Sequence, residues 1–275
     1  MRSAHRYRSP GFLLGGVVIL VWIMTALVVS LIAPRGPDVQ HLDQAFQPPS
    51  PTHLFGTDDL GRDVLTRVMY GARYTLTLAV AVVAVAGAGG MLLGALSGYL
   101  GGWCDEGIMR LTELVMAFPA IVLAMAIVVA LGPGLVNAGL AMLVVWWPPY
   151  ARLARGEVLA VRHLEFVEAA AALGQTSWGI FRRAVLPSVL PGMVILATID
   201  VGSAIVTGSG LSFLGLGATP PTPEWGAMVS AGRGMIAEWW VATFPGLAIF
   251  VTVIAFNFMG DGIRDILDPR RRHRG

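Results

Sequence analysis

No charged side chain occurs between Arg8 and Arg35, between Tyr74 and Cys104, or between Leu114 and Ala151. A run of about 20 apolar residues is what a hydrocarbon layer of roughly 30 Å requires of a helix at ~1.5 Å per residue. Several such runs predict an all-α integral membrane protein. Composition agrees: 55% of its residues are hydrophobic and 13% charged, against about 25% charged in a soluble domain.

Six crossings are expected. The first is Phe12 to Ala33; it follows Arg2, Arg6 and Arg8 as a signal peptide would, but at this length and without an A-x-A exit it reads as a retained helix. Residues 36–73 turn polar and proline-rich, then offer Thr57 and Asp58 as caps before Leu60, Val64, Leu65 and Val68, the pattern of a short amphipathic helix on the membrane surface. The second crossing runs from Thr75 to Leu100. The stretch from Leu114 to Ala151 is divided by Gly132, Pro133 and Gly134 into the third and fourth, with Trp146, Trp147 and Tyr150 marking an interface. The fifth covers Pro187 to Gly208 and the sixth Val241 to Gly260. The chain thus divides into a tail with the first helix (1–35), an outer loop (36–73), a transmembrane core (74–264) and a basic tail (265–275).

Six crossings place both termini on one side. If that side is cytoplasmic, it holds Arg2, Arg6, Arg8, Arg110, Arg152, Arg155, Arg162, Arg182, Arg183, Arg264, Arg270, Arg271, Arg272 and Arg274, leaving Arg35, Arg62, Arg67, Arg73 and Arg233 outside. That asymmetry follows the positive-inside rule and puts the polar segment between crossings four and five in the cytoplasm. Arginine distributed in this way indicates membrane orientation and lipid contact, not nucleic-acid binding.

That segment reads Glu165-Phe166-Val167-Glu168-Ala169-Ala170-Ala171-Ala172-Leu173-Gly174, continues to Arg183, and ends in Ala184-Val185-Leu186-Pro187. An alanine-rich helix stops at a glycine, a short second helix follows, and proline opens the next crossing. The spacing of Glu168, Ala169, Ala170, Gly174, Leu186 and Pro187 resembles the EAA loop of binding-protein-dependent ABC importer permeases, with Ala184 where a larger aliphatic residue is usual. Gly56 to Arg67 with Gly71-Ala72-Arg73, Ser212 to Gly217 with Pro220 to Gly226, and Asn257 to Pro269 resemble the C-type permease of the peptide and nickel subfamily. The resemblance implies that the loop docks on two ATP-binding subunits, that a second homologous permease completes the pathway, and that an extracytoplasmic solute-binding protein delivers cargo to outer loops around Glu224 and Trp225.

The residues themselves add two exclusions. A Walker A loop needs lysine and the chain has none, so ATP must be hydrolysed by other subunits and no cofactor is expected. Cys104 stands alone, and His5, His41, His53, His163 and His273 have no metal-ligand spacing, which disfavours a bare nickel site but not a nickel chelate as cargo. Asp200 is the one ionisable residue well inside an expected crossing. It is a candidate pathway residue alongside Glu224 and Trp225, or a carboxyl that only packs between helices. The remote alternative is an intramembrane protease: no histidine lies in a crossing to activate Ser203 or Ser209, and an aspartyl pair would need Asp200 with Asp261.

Overall fold

The structure, a computed structural model, describes residues 10–33, 36–162 and 164–267. The expectations for Arg2, Arg6, Arg8, Arg35, His5, His163 and the tail from Asp268 onward, Arg270, Arg271, Arg272, His273 and Arg274 included, lie outside these residues. The described chain is helical: α1 (Pro10–Ile32), α2 (Val64–Leu100), α3 (Gly102–Met116), α4 (Ala120–Leu131), α5 (Leu135–Val161), α6 (Glu165–Ala172), α7 (Ser177–Ile180), α8 (Leu186–Phe213), α9 (Trp225–Gly232) and α10 (Trp240–Leu267).

By length and apolar character α1, α2, α10 and a continuous rod from Ser177 to Phe213 can each cross a membrane, and α3 with α4 makes a fifth candidate bent by 88°. The bend falls near the start of the expected third crossing. Phe118 and Pro119 break it, because proline removes a helix donor and restrains the residue before it. The rod is a second difference. Pro187 was expected to open a new helix, yet α7 passes into α8 through one π-turn, Phe181–Val185, closed by the Leu186 N–H bonding to the Phe181 carbonyl.

The surface helix expected in 36–73 does not exist as a separate element. Leu42–Gln44 forms a single 3₁₀ turn, and Val64, Leu65 and Val68 are the opening turns of α2. Nor are Thr57 and Asp58 its caps. The Thr57 hydroxyl donates to the Gln44 carbonyl at 2.5 Å, Asp58 accepts from Arg62 Nε at 2.7 Å, and the α2 N-cap is Asp63, which accepts from the Thr66 N–H at 2.7 Å. This loop is a folded cap clipped to the bundle. Trp240 Nε1 donates to the Thr57 carbonyl, Phe55 stacks on Phe244, and the buried Arg67 reaches the carbonyls of Pro37 and Pro221.

The core is built on α2 against α5, with α8 against α2 and α10, and α1 antiparallel to α10 on the outside. Small residues permit the closest approach: a Cβ on Gly94 would collide with the Ala151 carbonyl, and one on Gly90 would sit 2.7 Å from the Tyr150 Cβ. Helices approaching this closely replace side-chain packing by backbone contact, as membrane bundles commonly do.

The contacts also fix which parts of each helix share a level. Gly262 of α10 packs on Phe12, where the apolar run of α1 begins, and Gly260 packs on Ile199 of α8. Gly90 and Gly94 of α2 face the stretch from Trp147 to Ala151, where the uncharged part of α5 ends. One end of the apolar layer therefore runs through Phe12, Ala151 and Asp261. Beyond it, α2 from Gly94 to Leu100 pairs with the charged end of α5, and the expected second crossing, Thr75 to Leu100, lies within α2.

Candidate functional site: an exposed projection and three acidic positions

Past the apolar layer, α2, α3 and α5 are joined by polar contacts. Asp105 accepts two hydrogen bonds from Arg155, at 2.5 and 2.7 Å, and one from the Ser97 hydroxyl at 2.5 Å, while Arg162 donates to the Gly98 carbonyl at 2.9 Å. The Arg155 bond holds the Asp105 carboxyl below its usual range, with Ser97 and the Arg162 charge acting in the same direction. This brace supports the segment that carries the EAA-like residues.

In that segment α6 buries Val167 against the core and turns Glu165, Phe166, Glu168 and Ala169 outward. It ends at Gly174, whose φ of +78° is left-handed backbone that glycine adopts without a Cβ clash. The chain reverses there, Thr176 caps α7 by accepting from the Gly179 N–H, and Ile180 and Phe181 return to the interior. The Tyr99 hydroxyl donates to the Ser177 carbonyl at 2.8 Å, and the Tyr99 ring packs on Phe181 with centroids 5.2 Å apart. What remains outside is apolar: Leu173 is 83% exposed, Trp178, whose ring stacks on Phe181, 64%, and Phe166 53%.

So Glu168, Ala169, Ala170 and Gly174 lie on one helix-turn-helix projection. Leu186, half-buried, and Pro187, exposed, stand at the start of α8, directly in line with it. Ala184 packs half-buried against the core despite its size. The connection to α8 escaped the sequence reading because Pro187 looks like a boundary. A π-turn just ahead of a proline gives room for the carbonyl its ring would otherwise strike.

The other candidates do not gather into a second site. Glu224 was expected on an outer surface, but it is 1% exposed. Its carboxyl caps α9, accepting from the Ala227 N–H at 2.9 Å, the Thr75 hydroxyl at 3.1 Å and the Ser209 hydroxyl at 3.3 Å. Trp225 is fully buried, with Nε1 donating to the Val68 carbonyl at 2.8 Å and its ring 4.9 Å from that of Trp22. This pair is a structural knot joining α1, α2, α8 and α9, not a surface open to a delivered cargo.

Asp200 is half-buried on α8, about 13 Å along the helix from Ser209 and hence from Glu224. Because Ile199 packs on Gly260 one residue before Asp261, Asp200 stands at the border of the apolar layer nearest the projection. It faces Tyr150 of α5. Asp261 is exposed, and no hydrogen bond joins it to Asp200 among the described residues.

Comparison with known proteins bears on the whole chain. Residues 90–273 match the family described as binding-protein-dependent transport system inner membrane component. The probable D,D-dipeptide transport system permease protein DdpC of Escherichia coli is 43% identical, covering 95% of this chain and 88% of that protein. The glutathione transport system permease protein GsiD of Pectobacterium atrosepticum is 40% identical over 93% of this chain and 85% of its own length. For the dipeptide transport system permease protein DppC of Alkalihalophilus pseudofirmus the figures are 42%, 94% and 86%. Among solved structures, a chain of the MetNI methionine ABC transporter in an inward-facing conformation superposes with a TM-score of 0.61 at 21% identity, covering 74% of this chain and 96% of that one, which supports the fold. Multi-pass apolar helices, an outward-turned projection braced on α2 and α5, and full-length similarity to transport permeases converge on one assignment: the chain belongs to the inner membrane components of binding-protein-dependent ABC transport systems, a non-catalytic membrane subunit and not a protease.

Proposed function

We propose that this subunit forms half of a pathway for di- or oligopeptides and couples it, through α6 and α7, to two separate ATP-binding subunits. The observation that carries the reading is the exposed apolar surface of the projection, Phe166, Leu173 and Trp178 around Glu168, set on a rod continuous with α8. Large apolar side chains exposed together beyond the membrane fit a protein partner. A displacement at Trp178 would pass along the rod toward Asp200 with no flexible loop between. Swinging a two-state pathway from about 1:99 to 99:1 takes ~5.5 kcal/mol of differential binding, which this lysine-free chain must receive from outside.

In this reading α5 supplies the sixth crossing through Leu135 to Ala151, and both termini and the projection face the cytoplasm, as the arginine asymmetry indicates. A second homologous permease completes the pathway, and a solute-binding protein meets the opposite face, where the cap over residues 36–63 sits. Peptide cargo follows the three relatives, whose names specify dipeptides or glutathione, and a nickel chelate is not favoured.

The test is Gly174→Val in the reconstituted complex with its ATP-binding and solute-binding subunits. A β-branched residue at positive φ distorts the reversal, so substrate-stimulated ATP hydrolysis and peptide uptake should both fall at least about tenfold while the variant still inserts, a loss of ~1.4 kcal/mol in coupling. Unchanged uptake would remove the coupling role. Labelling of residues 165–185 from outside the cell only would reverse the orientation.

A further inference from the structure

The outward faces of the helices differ in chemistry. On α1 the exposed side chains include Leu13, Leu14, Val17, Leu20, Met24 and Leu27, a lipid-compatible surface. On α8, Asp200, Ser203, Thr207 and Gly210 recur at steps of three, four and three residues, which places them on one face. Ser203 is exposed and the other three are half-buried. This face rises about 15 Å from the border of the apolar layer into its interior. A carboxyl and two hydroxyls there need water or protein, not acyl chains, against them.

A second, independent feature lies at the lower end of the stripe. Tyr150 is completely buried, and its hydroxyl makes no hydrogen bond of good geometry with the protein although it lies beside the Asp200 carboxyl. The same Tyr150 lines a cavity of about 180 Å³ between α2 and α8, together with Gly87, Met193 and Ala197. A buried hydroxyl that turns its proton toward a carboxyl still has oxygen lone pairs free to accept from a further donor. A carboxyl and a phenolic oxygen beside a small apolar cavity suit a protonated amine: the charge meets the acid, the hydroxyl oxygen accepts a second N–H, and the adjoining aliphatic part enters the cavity.

We propose that the α8 stripe lines the translocation pathway and that Asp200 with Tyr150 forms, at its inner end, a subsite for the protonated amino group of a peptide. The proposal rests on the peptide reading above and specifies where on this chain the cargo's positive end is held before release.

The experiment is uptake of a radiolabelled dipeptide with a free amino terminus into proteoliposomes containing the full complex, with Asp200→Asn, Asp200→Glu and Tyr150→Phe compared at equal recovery of assembled complex. An ammonium subsite requires the charge, so the Asn variant should lose about tenfold or more in uptake while the Glu variant retains most of it. A carboxyl that only packs between helices gives the opposite order, because Asn preserves shape and Glu does not; that order overturns the subsite. If the Asn variant does not assemble, Tyr150→Phe decides. It removes one oxygen from a site where the ring still packs, and it should raise the half-saturating peptide concentration about threefold or more, with no change overturning the proposal. A wild-type complex that transports no peptide refutes the underlying reading instead, so the two failures are distinguishable.

Discussion

The projection at 165–187 and the knot around Glu224 and Trp225 are both acid-bearing stretches beside glycine, yet they sit in opposite environments. Glu224 has every hydrogen-bond partner inside the chain, and Trp225 fills the space between α1 and α2. Glu168 points away from the protein on a helix whose neighbours Phe166 and Leu173 are also exposed. The lesson is about where polar chemistry finds its partners. A carboxyl satisfied within one subunit holds that subunit together, whereas a carboxyl amid exposed apolar side chains is left open to solvent or to another protein.

The contrast can be broken most forcefully at the knot. Glu224→Ala would take away the acceptor of the Thr75 and Ser209 hydroxyls and uncap α9 together, at a cost of about 3–5 kcal/mol by analogy with breaking other buried polar networks. Trp225→Ala should cost a similar ~3–5 kcal/mol through the cavity it leaves. Both should appear as lost monodisperse protein and a lowered Tm in detergent, before any transport assay. A Glu224→Ala protein with wild-type Tm and impaired uptake would return the residue to the pathway and erase the distinction.

A step below in magnitude lies the α2–α5 contact that supports the projection from within. Gly94→Leu must push the Ala151 backbone away, and overpacking of this kind costs about 1–3 kcal/mol or rearranges the crossing. Thermal unfolding of the purified subunit reads the effect. If leucine is tolerated there, the close approach is not what fixes the level of the two helices.

Much of this arrangement is legible in the residues, and the exceptions share a cause. Uncharged runs report helix existence because the hydrocarbon layer penalises charge whatever the tertiary contacts, which is why α1 matches expectation at both ends and α10 at its start, though α10 continues past Gly260 to Leu267. Depth is another matter. Thr75 to Leu100 is uncharged throughout, and only the packing of Gly94 on Ala151 reveals that its last turns lie beyond the layer. The level of Asp200 relative to α10 likewise depends on Ile199 meeting Gly260. Burial of Glu224 is equally invisible along the chain, because its partners Thr75 and Ser209 come from other helices. At the projection, by contrast, every feature is local: an alanine helix, a glycine reversal and a capping threonine.

Smaller again is the brace of Asp105 and Arg155. Both groups are partly exposed, at 21% and 34% of the side chain, so solvent screening keeps Asp105→Asn to about 1 kcal/mol. The sign of its pH dependence follows from the depressed Asp105 carboxyl. The stabilisation is fully present above the ordinary aspartate value of about 3.9 and is lost as pH falls through the lower folded value. The difference in Tm between wild type and Asp105→Asn should therefore be constant from neutral pH to about pH 5 and shrink only under stronger acid. A difference that vanishes already near pH 6 would mean that another group carries the effect.

The smallest effect on stability belongs to Glu168, and there the two regions separate most clearly. Glu168→Gln keeps the side-chain length on an exposed helix face and should change Tm by no more than what ~0.5 kcal/mol produces. If the projection is completed by a partner, the same substitution should lower peptide-stimulated ATP hydrolysis in the assembled complex while leaving the isolated subunit untouched. Measuring both quantities on one preparation gives a ratio for each variant: large loss of fold with Glu224→Ala, large loss of coupling with Glu168→Gln. A Glu168→Gln subunit that unfolds early would show that the acid is satisfied inside the chain after all, and the projection would then be one more piece of scaffold.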